Sequence, residues 1–248
     1  MADNPEHIDE LLAEWPYEFG DVAARVVSGA DGREVLQLRV DLGVLQMEST
    51  GRPDGSRPGG FDTCYDHLIS LAFQEGESFE LDESRCLDVD REFVQFFHRR
   101  IGWMAVRRFD RAVADADHTL ALMDFTSAHA TDESWVAMHE QYRPFVLFHR
   151  IQAAALAELQ EEHSPEAVQE IDQGIEQIRA IFEQHEALDE FEDDEVVAKL
   201  REMKEAIVEH YEVQPSLTQQ LADAIAAEQY EVAAELRDQL ERRQRPKF

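Results

Sequence analysis

The run Val89-Asp-Arg-Glu-Phe93-Val-Gln-Phe96-Phe97-His-Arg-Arg100-Ile101-Gly-Trp-Met104-Ala105 carries the chain's most informative apolar pattern. Phe93, Phe96, Phe97, Ile101, Met104 and Ala105 recur at steps of three and four, which places them on one face of an α-helix. A face that wide and that aromatic is stable only against other helices. The run therefore predicts a long helix starting near Val89, inside a mainly α protein.

Downstream, Ala112, Ala116, Leu120 and Met123 mark a second helix. Phe97-His98-Arg99 then recurs as Phe148-His149-Arg150, and each copy leads through a turn into another helix, opened by Phe109-Asp-Arg-Ala112 and by Ser164-Pro-Glu-Ala167. With an apolar residue four later (Ala116, Ile171) and a small one beyond (Thr119, Gly174), the pattern resembles the tetratricopeptide repeat. The copies lie about fifty positions apart instead of about thirty-four, because Asp124 to Arg143 is inserted. Trp135, Met138 and Tyr142 predict one more amphipathic turn or helix there, ending at Pro144. The second copy continues through Ala153, Leu156 and Leu159 and then Ile171, Ile175, Ile178 and Phe182. A further helix carries Val196, Leu200, Met203, Ile207 and Tyr211, with Glu195 and Lys199 as a supporting i,i+4 pair.

Upstream, Tyr65, Leu68, Ile69 and Ala72 outline a short helix, followed by an acidic segment from Glu75 to Asp88. Residues 49–60 form the one loop dense in Gly and Pro. Two readings stand for it: a plain connection, or an anion cradle built from Gly51, Arg52, Gly55, Arg57, Gly59 and Gly60. It has neither the Gly-Lys-Ser/Thr of a phosphate loop nor a G-x-G-x-x-G after a strand. Before it, Val22, Ala24 and Val26, a turn at Ala30-Asp-Gly-Arg33, and the alternation of Leu36, Leu38, Val40 and Leu42 predict a β-hairpin, with Gly43 as a bulge that re-aims Val44, Leu45 and Met47. Residues 1–14 offer only Ile8, Leu11 and Leu12 as an apolar face.

At the other end, Pro215 closes the preceding helix, and Ser216 with Gln219 forms a capping-box pattern. Leu217, Leu221, Ala224 and Ile225 share one helical face. After a break near Glu228 and Gln229, Tyr230, Ala233, Ala234, Leu236 and Leu240 share another. The order of these residues, above all Tyr230-Glu-Val-Ala-Ala-Glu-Leu-Arg-Asp238, closely resembles the UVR motif, the helical hairpin of UvrB and UvrC repair subunits, ClpC-type chaperone ATPases and McsA-type activators of arginine kinase. The resemblance covers residues 216–243. It implies a hairpin that docks onto another protein, often onto a second such hairpin, through Leu217, Leu221, Ile225, Tyr230, Glu231, Ala233, Ala234, Leu236 and Leu240, with Arg237 and Asp238 fixing register. The alternative is a hairpin that only caps this chain's own helical stack. The tract Arg39–Glu48 followed by Gly51-Arg-Pro-Asp-Gly55 is also similar to bacterial proteins that carry the motif. McsA-type activators have paired zinc-binding cysteines, and this chain departs from them: Cys64 and Cys86 form no C-x-x-C pair.

The chain has 248 residues and a formal net charge of −31, from 54 acidic against 23 basic residues. A surface so acidic repels phosphate backbones, so direct binding to duplex nucleic acid is not expected. It can serve as a solvated, self-repelling coat, or attract basic proteins. From Glu158 to Glu195 fifteen acids face one arginine, Arg179, which reads as an outward face and a flexible joint around residues 188–194. Arg242, Arg243, Arg245 and Lys247 make a small basic tail. No apolar run is long enough to span a membrane, and the start Met-Ala-Asp-Asn-Pro-Glu lacks a basic-then-apolar signal, so a soluble, cytoplasmic protein is expected.

Ten histidines are present, but no H-E-x-x-H, no G-x-S-x-G and no nucleotide loop. Arg99, Arg100 and Arg150 read as partners of carboxylates on neighbouring helices. No catalytic residue, metal or cofactor is expected. The expected fold is mainly α, with four parts: a β-hairpin and loop over 1–60, a TPR-like body over 61–190, a linker helix over 191–215 and the UVR-like hairpin with basic tail over 216–248. The expected function is a non-enzymatic adaptor. The alternatives are an accessory role in nucleotide excision repair through UvrB or UvrC, and regulation of a ClpC/arginine-kinase type stress system. The partner is another protein, one with its own UVR motif or a second copy of this chain.

Overall fold

A three-stranded antiparallel sheet, not a lone hairpin, opens the chain: β1 (Ala24–Ser28), β2 (Glu34–Val40) and β3 (Gly43–Glu48), in that spatial order. The computed structural model describes residues 7–184, 186–213, 217–227, 229–235 and 237. The expected hairpin is β1–β2, closed by Gly29 N–H donating to the Arg33 carbonyl at 2.7 Å. Gly43 is no bulge. It pairs with Val40 because Asp41 and Leu42 already reverse the chain, and Val44, Leu45 and Met47 then resume the alternation as a third strand.

The register puts Ala24, Val26, Leu36, Leu38, Leu45 and Met47 on one face of the sheet, packed on Trp103, Phe109, Ala112 and Ala153 of the helices. Leu36 meets the helical layer at Gly102, where a Cβ would stand 2.7 Å from Leu36 Cδ2. The other face is touched by the residue that follows the short helix α1 (Asp9–Glu14): Arg39 Nε donates to the Trp15 carbonyl at 2.7 Å, and Arg25 lies over the Trp15 ring at 4.3 Å. A lone hairpin is marginal in water; this sheet gains its stability from the helices packed on its inner face.

Helix makes up 67% of the chain. α2 (Cys64–Glu75) turns Cys64, Leu68, Leu71 and Ala72 inward, while Ile69, expected on that face, is exposed. α3 (Glu83–Ala105) begins a turn and a half before Val89, because the Asp82 side chain accepts from Arg85 N–H at 2.9 Å and caps it there. α4 (Phe109–His129), α5 (Glu133–Glu140), α6 (Arg143–Gln160), α7 (Ser164–Gln184) and α8 (Glu195–Tyr211) follow. Pro144 does not end α5; it sits in the first turn of α6, where its missing N–H costs nothing.

Each of α3, α4, α6, α7 and α8 packs on the next of that series, with α5 set beside α4. Val197, Leu200 and Ile207 of α8 join Ile151, Ile171 and Ile178 in one buried cluster, so the helix expected as a linker is also a layer of the stack. The stretch expected as a joint contributes buried Phe191 to the same cluster. The basic residues of α8 reach outward from it, Lys204 to Asp172 at 2.6 Å and Arg201 to Glu192 at 2.8 Å, in place of the expected Glu195–Lys199 pair, which is not formed among the described residues.

The two internal copies share a turn more closely than a sequence. Val106 and Glu161 both have φ −90 and ψ 8, and Arg107 and Glu162 then have φ 59 and 63. Arg108 N–H returns to the Trp103 carbonyl at 2.9 Å, and His163 N–H to that of Glu158 at 2.8 Å, the six-to-one bond of a left-handed helix cap. These turns pair residues 55 positions apart, whereas Phe97 and Phe148 are 51 apart. The repeated Phe-His-Arg is therefore offset by one helical turn and its members are not equivalent. Gly174 of α7 does match its counterpart Thr119 and lets α6 approach: a Cβ there would fall 2.4 Å from Ile151 Cδ1 and Cγ1.

Candidate docking site

α8 stops where Glu212 turns left-handed (φ 49, ψ 39) and Val213 N–H donates to the Val208 carbonyl at 3.1 Å. α9 (Leu217–Ala226) follows, and residues 230–235 and 237 are helical again. Between them Gln229 N–H donates to the Ala224 carbonyl at 2.8 Å, and Ala233 N–H to that of Gln229 at 2.9 Å, so the chain breaks at the expected place.

Among the described residues, the seam of this hairpin rests on small side chains. Ala224 and Ala233 are 4% and 7% exposed, with Leu221 packed against them, and this cluster is separate from the main cores. A buried methyl contributes about 0.8 kcal/mol, while ordering each backbone residue costs about 1–2 kcal/mol. Meanwhile Ile225, Tyr230 and Val232 are 54%, 68% and 46% exposed. Among the described residues of this unit, three large apolar side chains are exposed and two alanines are buried.

Of the expected docking residues, Leu221 and Ala233 lie in the seam, and Ile225, Tyr230, Glu231, Ala234 and Arg237 are exposed. Leu217 belongs to α9 by its backbone. Leu236, Asp238 and Leu240 lie outside the described residues, as do Pro215, Ser216 and the basic tail. The reading from sequence missed Val232, which sits off both periodic stripes and so gives no pattern signal.

The residues considered for chemistry are tied to one another. Arg99 makes a buried bidentate pair with Asp115, 2.6 and 2.9 Å for its closest contacts, and donates to the Gly51 and Glu48 carbonyls at 2.7 and 3.1 Å. Burial pushes the Asp115 carboxyl up, against the pull of Arg99. Arg150 meets Asp117 at 2.5 Å. Arg100 departs from the expectation: among the described residues it touches no carboxylate, and it donates to Thr119 Oγ1 at 3.1 Å and His149 Nδ1 at 3.3 Å. Burial lowers its guanidinium to about 10 and, with the nearby Arg100 charge, lowers the His149 imidazole to about 4.

Glu92 is the residue that sequence reading passed over. Fully buried, it accepts from Cys64 N–H at 2.7 Å and Tyr65 N–H at 3.1 Å, at the N-terminus of α2, where a helix favours negative charge. His118 Nε2 lies 2.9 Å from it and stacks on Phe96 at 3.8 Å, and Arg52 Nε lies 3.5 Å away. The loop's two arginines thus face carboxylates, Arg52 with Glu92 and Asp54, Arg57 with Asp62 at 2.7 Å, so neither offers an anion a free cradle. The Cys64 thiol, held by burial at about 12, stays protonated. Among the described residues no three His, Cys, Asp or Glu side chains converge to hold a metal ion, and no helix is long and apolar enough to cross a membrane.

Residues 212–245 match the family model described as the UvrB/uvrC motif, UVR. The match starts at Glu212, the residue that terminates α8. The chain carries a UVR motif, which mediates protein–protein contacts in UvrB/UvrC-type proteins. Neither a comparison with curated proteins nor one with solved structures returns a match.

Proposed function

We propose that the protein is a non-enzymatic adaptor whose helical body presents the C-terminal hairpin to a protein partner. The observation that carries this is the exposure of Ile225, Tyr230 and Val232 beside a seam that, among the described residues, holds Ala224, Ala233 and Leu221. Two short helices joined by a tight connection are marginal alone and gain stability when a further helical layer covers them. A non-catalytic role is supported by the engagement of Arg52 and Arg57 with carboxylates and by the protonated, buried Cys64.

The partner class the motif favours is a protein with a UVR hairpin of its own. Full-length protein and an Ile225→Glu/Tyr230→Glu variant, titrated against purified UvrB, UvrC and a ClpC-type chaperone, test this. The reading expects saturable binding to one of them that the variant loses, with the melting temperature of the body unchanged. Equal binding by both proteins overturns the hairpin as the docking element, and a second copy competing for the same face identifies self-association.

A further inference from the structure

Arg100 on α3 is a buried cation whose donors are only partly engaged. It is 1% exposed, yet only its Nε and Nη1 groups donate, to His149 Nδ1 at 3.3 Å and to Thr119 Oγ1 at 3.1 Å. Asp115, the carboxylate whose field reaches it, is paired with Arg99 at 2.6 Å, and Arg150, beside His149 in sequence, is paired with Asp117 at 2.5 Å. A guanidinium N–H can only donate, so His149 Nδ1 accepts and the ring proton sits on Nε2. Burial and the Arg100 charge keep that ring neutral, lowered to about 4. Among the described residues neither His149 Nε2 nor Arg100 Nη2 has a hydrogen-bond partner. The buried side-chain atoms left without a partner are Arg52 Nε and Gln95 Oε1. These two donors are therefore not sealed in, and they open to the surface.

We propose that this junction of α3 and α6 is a binding site for a carboxylate carried on an apolar body, received by His149 Nε2–H with the Arg100 charge behind it. The charges match: a neutral imidazole beside one guanidinium without a counter-ion suits a monoanion, and a hydrogen bond to an ionised acceptor is about twice as strong as a neutral one. The apolar part has a surface to lie on. Phe145 sits one turn before His149 on the same face of α6, with ring centroids 4.2 Å apart, and is exposed. It meets Phe97 of α3 at 6.3 Å, and the Arg100 Cζ lies 5.9 Å from the Phe97 ring. Tyr142, a further turn back along that face, is exposed as well. The net charge of −31 does not decide against an anion here, because at physiological ionic strength exposed charges beyond about 8 Å are largely screened. The near pairs, Arg99 with Asp115 and Arg150 with Asp117, cancel. The site uses no residue of the terminal hairpin, so it does not rest on the docking role proposed for that unit. Its carboxylate is that of a free small acid or of a side chain in an acidic peptide segment, the same group from two sources.

The test uses the full chain labelled with 15N-histidine at about pH 7, with His149→Phe to assign the ring. The free protein should show Nε2 protonated and Nδ1 bare. Phenylacetate should then bind saturably, shift the His149 Nε2 resonance, and bind about tenfold more tightly than phenylacetamide, the difference between a charge-assisted and a neutral hydrogen bond. Phe145→Ala, at an exposed position, should weaken both ligands, and His149→Phe should remove the preference for the acid. Should His149→Phe fail to fold, the comparison of acid with amide in the native chain still decides. The capped dipeptide acetyl-Phe-Glu-amide separates the two sources: tighter binding than phenylacetate assigns the carboxylate to a peptide segment, weaker binding to a free acid. The Nδ1–H tautomer, equal affinity for acid and amide, or a preference that survives His149→Phe overturns the proposal.

Discussion

Gly174 is where the packing of the two internal halves can be tested most sharply. Alanine is worth about 1 kcal/mol more than glycine inside a helix, so in an open position Gly174→Ala stabilises. Here the new Cβ meets three atoms of one buried side chain, Ile151 Cδ1 and Cγ1 at 2.4 Å and Cγ2 at 2.8 Å. Ile151 is itself enclosed by Leu147, Ala155, Ile171 and Ile178, so it cannot simply swing aside. Overpacking of this kind costs about 1–3 kcal/mol, which outweighs the propensity gain. The net expectation is a loss of up to about 2 kcal/mol, or up to roughly 8 °C in Tm for a chain of this size. Ile151→Ala alone should cost about 2–5 kcal/mol. In that background Gly174→Ala has nothing to strike and should become stabilising. Urea denaturation of all four proteins closes the cycle, with the m-value checking that the unfolded state is unchanged. A stabilising Gly174→Ala in the native background, or two substitutions that simply add, refutes the close-approach argument.

Other outcomes follow from the buried polar groups. Glu92→Gln replaces a carboxylate that serves two backbone N–H groups and leaves Arg52 facing a neutral amide; unpairing a buried ion costs about 3–5 kcal/mol, read as a fall in the urea midpoint. Because His149 is lowered to about 4 from 6.5, the native state binds its proton less readily than the unfolded chain does. Its contribution to stability is complete above about pH 6.5 and is lost as the pH falls toward about 4, and His149→Phe should flatten that part of a stability-versus-pH curve. Cys64, at about 12 and buried, should react with a thiol reagent at about pH 8 only on unfolding, so rapid labelling of the native protein at this position would contradict its burial.

The helical body was legible because amphipathic periodicity is a local signal: Phe96, Ile171, Ile178 and Leu200 all fall on stripes that the chain spells out within a few turns. What escaped was non-local or polar. The third strand needed Asp41 and Leu42 to be seen as a two-residue reversal, and Gly43 pointed attention to a bulge instead. Trp103 and Glu92 are among the most buried side chains; Trp103 lies seven residues after Phe96 and went unnamed, while Glu92, being charged, fits no apolar stripe. The partners that make Glu92 tolerable lie 27 and 28 positions back, at the start of another helix. The terminal hairpin was legible as a motif because its alanines and paired faces are specific in order. The exposure of Ile225, Tyr230 and Val232 was not legible, since it depends on what lies against them.

One contact sets how the molecule comes apart. Arg99 joins Asp115 on α4 to the carbonyls of Glu48 and Gly51 at the end of the sheet. Peeling the sheet from the helices strips a buried cation of its carbonyl partners, and separating α3 from α4 strips it of its counter-charge. Either partial opening strands charge in a poorly solvated place, which raises the free energy of half-unfolded forms relative to both ends of the reaction. The sheet and the first helical pair are thereby bound into one cooperative transition, even though they share no strand or helix.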